Sequence, residues 1–120
     1  MLAVGVDVVE IDRIAQMVER FGERFLQRIY TPAEQAYCAG RAADLAARFA
    51  AKEAISKAMG TGMSGLRWTD LEVVVDERGH PSVCLHGPAQ ARAKALGWQQ
   101  CVISLSHSRG LAIAVVVAQG

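Results

Sequence analysis

Asp7 stands in the middle of LAVGVDVV, residues 2–9, a short run that is otherwise apolar and rich in β-branched side chains. A lone carboxylate in such a strand is costly to desolvate, so it needs a partner: an arginine, a set of backbone donors or a cation. A second acid, Glu53, lies in DLAARFAAKEAISKAM, residues 44–59. At about 100° per residue, Phe49, Glu53 and Ser56 share one face of a helix there, with Lys57 at its margin and Arg48 and Lys52 on an adjoining flank. Taken alone, Glu53 and Lys57 read as an ordinary i, i+4 surface pair contributing ~0.3–0.5 kcal/mol. If the helix instead turns Glu53 toward Asp7, two carboxylates converge without neutralising each other. A divalent cation resolves that repulsion, and oxygen-only ligation suits Mg²⁺, which keeps waters and completes its shell with substrate phosphates.

Elements able to hold phosphate lie nearby in sequence. Lys57 is followed by the loop GTGMSG, residues 60–65, in which Gly60 and Gly62 let backbone amides approach an anion. The order of a P-loop is absent, and glycines after a helix also serve simply to end it. Near the other end, SLSHSRG offers Ser104, Ser106, His107, Ser108 and Arg109, a set of hydroxyls, an imidazole and a guanidinium suited to an anion cradle. A hydrogen-bonded strand histidine beside a polar strand face is the plainer reading of the same residues.

These groups must be positioned by a small set of elements. Residues 2–9 suit a strand buried on both faces. From Ile11 to Ile29 apolar residues recur at helical spacing, with Gly22 a break or kink. Thr31, Pro32 and Glu34 open another helix, Glu34 as the structural carboxylate of a capping box. The alanine-rich run 44–59 is the clearest helix. Residues 71–75 and 82–86 flank the turn DERGHP, residues 101–108 and 111–118 flank Arg109 and Gly110, and both pairs read as hairpins with a helix over 87–96 between them. The order β, α, α, α, ββ, α, ββ predicts an α+β fold, mainly antiparallel sheet packed with helices.

The 120 residues, 52% hydrophobic and 21% charged, describe a single domain over 1–120. By surface scaling, such a chain buries about two thirds of its unfolded surface, enough for a core without disulfides or structural metal. A net charge of +1 excludes the broad basic footprint of a nucleic-acid binder, so any anion site is local. Cys38, Cys84 and Cys101 are odd in number and far apart, which predicts no disulfide framework and a reducing, cytoplasmic setting. The first residues lack the pattern of a secretory signal, and no apolar run approaches the ~20 residues of a membrane span.

GVDVVEIDRI, FLQRIYTPAE, ARFAAKEAISKAMGTG, GHP and ISLSHSRGLAIAVVVA, in this order and spacing, resemble the holo-[acyl-carrier-protein] synthase family of 4′-phosphopantetheinyl transferases over nearly the whole chain. Ala47, where the family pattern has glycine, favours the helix and touches no proposed chemistry. The resemblance implies the 4′-phosphopantetheinyl transferase fold and an enzyme of fatty acid biosynthesis. It would transfer the 4′-phosphopantetheine arm of coenzyme A to a serine of an apo acyl carrier protein, releasing adenosine 3′,5′-bisphosphate. It further implies Mg²⁺ ligands at Asp7 and Glu53, phosphate contact by Lys57, coenzyme contact by His107 and Ser108, and a homotrimer whose sites are shared between subunits. Glu53 is the candidate base for the serine proton, Lys57 its catalytic companion, and Arg48, Gly60, Gly62 and Ser106 join the expected coenzyme contacts.

Arg13, Arg20, Arg24 and Arg28, spaced 7, 4 and 4, fall within about 80° of one helical face if the helix runs through Gly22. With Met17 among them, Arg13, Arg20 and Arg24 form an expected docking stripe for an acidic carrier protein. A solvated face relieved by Glu19 and Glu23 is the competing reading. Two further classes stay open: a coenzyme A- or nucleotide-binding module without catalysis, needing a phosphate cradle but no acid pair, and a plain oligomerisation domain with Asp7 paired to an arginine.

Overall fold

A computed structural model describes all residues, 1–120. The chain runs β1 (Leu2–Glu10), α1 (Ile11–Phe21), α2 (Glu23–Ile29), α3 (Pro32–Cys38), α4 (Ala42–Ala58), a 3₁₀ turn (Trp68–Asp70), β2 (Leu71–Val75), β3 (Pro81–Leu85), α5 (Gly87–Ala95), β4 (Gln100–Ser108) and β5 (Leu111–Gln119). The α+β order expected from the sequence is present, and the break or kink expected at Gly22 divides the 11–29 region into two helices. Gly22 adopts φ +55°, ends α1 by donating to the Val18 carbonyl and starts α2, whose Phe25 and Leu26 amides bond back to its own carbonyl. The left-handed conformation, which glycine adopts without steric cost, is what breaks the helix there.

β1, β5 and β4 form a three-stranded antiparallel sheet with β5 in the centre, while β2 and β3 form a separate two-stranded hairpin. In the larger sheet Asp7 opposes Ala114, which opposes Leu105, and Val9 opposes Ala112, which opposes His107. Opposed residues share a face. Gly5, Asp7, Val9, Ala112, Ala114 and His107 therefore point toward α4, and Val4, Val6, Val8, Ile113, Val115 and Val102 point away. The outward set is exposed. This corrects the expectation of a strand buried on both faces: β1 is apolar on both sides, but one chain covers only the inner one.

α4 lies across that inner face and is buried nearly all round, through Leu45, Ala46, Ala50, Ala51, Ala54 and Ile55. Its small side chains let the sheet approach closely. The closest approach is at Gly5, where an added Cβ would lie 1.9 Å from the Ala54 carbonyl oxygen. No other residue fits that position, so Gly5 sets the spacing between β1 and α4.

Lys52 departs from the flank position suggested by the helical wheel. It is fully buried, donating to Glu34 Oε1 at 2.8 Å, the Leu71 carbonyl at 2.8 Å and the Trp68 carbonyl at 3.0 Å. Glu34 also accepts from the Thr31 and Val73 amides, so its structural role extends well beyond the expected capping box. Burial pushes the Lys52 ammonium below its usual pKa, opposed by Glu34 beside it. The pair ties α3, α4 and β2 together at full hydrogen-bond satisfaction. Lys52→Met strands the Glu34 carboxylate in the core and should cost ~3–5 kcal/mol, measured as a lower urea midpoint at unchanged slope.

Candidate active site

Two residues beyond Gly5 on the same face, Asp7 reaches the last turns of α4. Its Oδ1 accepts from Lys57 Nζ at 2.9 Å, and the same ammonium donates to the Val6 carbonyl at 3.2 Å. The ordinary Glu53–Lys57 pair is not formed, because Lys57 turns to the strand instead. Glu53 is left with no ion pair and no hydrogen-bond donor. Burial, and next the negative charge of Asp7, raise its carboxyl above the usual glutamate value, while Lys57 and Arg13 pull the other way. Asp7 and Glu53 therefore lie near enough for the charge of one to act on the other, with a lysine and an arginine beside them. That is a cluster of oxygen donors with one acid unpartnered, the donor chemistry of a hard divalent cation.

The glycine loop follows this cluster. Gly60 and Gly62 adopt φ +79° and +61°, and their amides donate to the Lys57 and Ser56 carbonyls, closing the end of α4. In this respect they terminate the helix. The amides of Thr61, Met63 and Ser64 have no internal acceptor and remain to meet an anion. Arg92 of α5 holds the loop in place through the Thr61 hydroxyl and the Ser64 carbonyl.

The expected coenzyme contacts from the second half of the chain gather elsewhere. A cavity of about 590 Å³ is lined by Arg48 and Tyr37 on one side, the turn Gly79, His80 and Pro81 on another, and β4 through Ser106 and His107. Arg48 is 5% exposed, its guanidinium lies 4.5 Å over the Tyr37 ring, and its Nε has no partner. Its Nη1 lies 3.8 Å from Asp44 Oδ1, so the guanidinium at the cavity wall already has a carboxylate beside it and only its Nε is left without a partner. Ser108, at the end of β4, lines neither cluster.

Asp7, Glu53 and Lys57 are not part of this cavity. β5 separates β1 from β4 and His107 is in register with Val9, so Asp7 and His107 stand two strand spacings across and two residues along one sheet, roughly 12 Å apart. One chain thus holds the acid pair and the cavity in two separate places. Sequence reasoning passed over Tyr37 and Ser82 as cavity residues, and used Gly79, His80 and Pro81 as part of a hairpin turn and of a family motif but not as cavity residues. The signal that was available is the Gly-His-Pro turn itself; nothing in the pattern of α3 marks Tyr37.

The basic stripe is shorter than its spacing suggested. Arg13, Met17 and Arg20 share α1, but the break at Gly22 places Arg24 and Arg28 on α2, so the four arginines do not stack on one continuous helix. Arg13 lies 5.8 Å over the Phe49 ring and near enough to lower the Glu53 carboxyl, which joins the stripe to the acid cluster. Met17 is half-buried against the core.

Known proteins bear on this arrangement. The chain is 49% identical to the holo-[acyl-carrier-protein] synthase of Herpetosiphon aurantiacus over 100% of both chains, and 52% identical to that of Solidesulfovibrio magneticus over 97% of this chain and 96% of the relative. The crystal structure of Helicobacter pylori holo-[acyl-carrier-protein] synthase in complex with coenzyme A superposes with a TM-score of 0.89 at 34% identity, covering 97% of this chain and 99% of the other. The 4′-phosphopantetheinyl transferase superfamily matches residues 3–116. Sequence and fold agree, and the chain belongs to the 4′-phosphopantetheinyl transferase superfamily.

Proposed function

We propose that this protein is a holo-[acyl-carrier-protein] synthase: it transfers the 4′-phosphopantetheine arm of coenzyme A to a serine hydroxyl of an apo acyl carrier protein, with release of adenosine 3′,5′-bisphosphate. The observation that carries the reading is the approach of Asp7 and Glu53, which a binding module or a plain oligomerisation domain has no use for. Asp7 and Glu53 would hold Mg²⁺. When bound, the ion neutralises charge on the diphosphate and lowers the pKa of a hydroxyl held against it.

Catalysis of this kind rests on positioning and on charge. Lys57, half-exposed and held at the rim by Asp7 and the Val6 carbonyl, presents an ammonium toward a diphosphate. The serine oxygen attacks the β-phosphorus of coenzyme A, forming the new P–O bond while the bond to the bisphosphate breaks. The serine proton would pass to Glu53, the acid nearest Asp7 without a counter-ion of its own. Arg48, with Ser106 and His107, would hold the adenosine end of the coenzyme, and the Arg13, Met17 and Arg20 stripe, with Arg24 on α2, would receive the acidic carrier.

Two half-sites on one chain are what a site shared between neighbours requires, and the exposed apolar sheet face supplies the surface. Val4, Val6, Val8, Val102, Ile113 and Val115 form a contiguous patch of the kind that marks an interface. A homotrimer built on that face would bring the acid cluster of one subunit to the cavity of the next. No helix is long and apolar enough to cross a membrane.

Incubation with coenzyme A, Mg²⁺ and an apo carrier protein, followed by intact mass of the carrier, tests the reaction directly. The parent should add the pantetheine arm, and Glu53→Gln should lose at least ~10³-fold in turnover with its circular dichroism unchanged; near-normal turnover would remove Glu53 from the mechanism. Sedimentation tests the assembly. The parent should sediment as three 12.9 kDa chains and Val6→Glu as one, with transfer lost in the monomer; an active monomer would show that each chain holds a whole site.

A further inference from the structure

The β2–β3 hairpin carries a second set of potential ligands, away from the acid cluster. Glu72 and Cys84 are directly opposed in its antiparallel register, and His86 follows two residues after Cys84 on the same face, its amide donating to the Asp70 carbonyl. One carboxylate oxygen, one sulfur and one ring nitrogen from these residues all lie within 4.8 Å of one another. We propose that Glu72, Cys84 and His86 form a binding site for a zinc-class divalent cation.

The donor set selects the ion. A thiolate and an imidazole prefer Zn²⁺ and its neighbours over Mg²⁺ or Ca²⁺, whereas the oxygen-only acid pair has the reverse preference. Zinc bonds of ~2.0–2.3 Å place tetrahedral ligand atoms roughly 3.3–3.7 Å apart, a separation that small side-chain rotations reach from the present arrangement.

The ligands are already oriented. His86 Nε2 lies 2.9 Å from Glu72 Oε1, and the Thr31 hydroxyl donates to Glu72 Oε2 at 2.6 Å, an outer-shell bond of the sort that fixes a metal-binding carboxylate. Burial pushes the Glu72 carboxyl up, but the bonds from Thr31 and His86 outweigh it and hold the group below the ordinary glutamate value, ready as an anion at neutral pH.

Binding balances simply. The Cys84 thiol releases its proton to solvent, neutral His86 gives its Nε2 lone pair with the proton on Nδ1, and Glu72 exchanges its hydrogen bond to His86 for the ion. Thiolate, carboxylate and dication sum to zero charge. His86 is half-exposed, so the ion has a path in and water has the fourth position.

The site closes a structure that needs closing. A two-stranded hairpin is marginal by itself, and the far end of this one carries Gly79, His80 and Pro81 to the cavity wall. A metal bridging β2, β3 and the residue beyond would stiffen the arm that presents that turn.

Co²⁺ is the probe, titrated into the reduced full-length protein without oxygen or coenzyme. One equivalent should produce a thiolate-to-cobalt charge-transfer band with tetrahedral d–d bands, and Zn²⁺ should displace both. Cys84→Ser should abolish the charge-transfer band, and His86→Ala should weaken Co²⁺ binding by more than the ~10–100-fold that an outer-shell loss costs. Cys101→Ser should bind as the parent does. Zn²⁺ should raise the Tm of the parent and of Cys101→Ser but not of His86→Ala, which keeps the test independent of how well Cys84→Ser folds. A parent without the band at excess Co²⁺, a band that survives Cys84→Ser, or a Tm shift indifferent to His86 would overturn the proposal.

Discussion

The backbone of β1 rests directly on α4 because Gly5 presents no side chain to the Ala54 carbonyl, and the chemistry of the molecule follows from that contact. A strand held one methyl group further out would carry Asp7 away from the last turns of the helix. At the observed spacing Asp7 takes Lys57 from its own helical neighbour, Glu53 is left without a counter-ion, and an acid pair with an adjacent ammonium results. The cost of placing two carboxylates together is accepted at one end of α4, while at its middle the opposite arrangement holds. There Lys52 and Glu34 are buried as a fully bonded pair that locks α3, α4 and β2. One helix therefore carries a fully bonded buried charge pair at its middle and an acid without a counter-ion near its end.

Much of this was legible in the residues. The strand, the alanine-rich helix, the capping box at Thr31 and Glu34 and both hairpins follow from local patterns, since each depends on neighbours in sequence. A charged residue in an apolar strand pointed to Asp7, and the helical wheel placed Glu53 near Phe49 and Ser56. What the pattern could not supply was direction. Lys52 and Lys57 lie on the same helix, yet one is sealed in the core and the other sits at the rim, because burial depends on which elements pack against α4. The wheel joined four arginines only if the helix ran through Gly22, already read as a break or kink, and the positive φ at that residue shows that the helix ends there.

The outer face of β1 marks the other boundary of sequence reasoning. Apolar residues on both sides of a strand state that both sides should be covered, without stating by what. A single chain covers one, and the valines and isoleucine of the outer face stand in solvent, on a sheet where β5 keeps Asp7 and His107 apart.

Anomalous diffraction from crystals grown with Mn²⁺ and coenzyme A would probe the joint grip of the two acids without relying on rates. The account expects a single strong peak within bonding reach of both the Asp7 and Glu53 carboxylates and of a diphosphate oxygen, with Lys57 moved from Asp7 onto the phosphates. Manganese bound elsewhere, with Lys57 still on Asp7 and Glu53 turned to solvent, would contradict it.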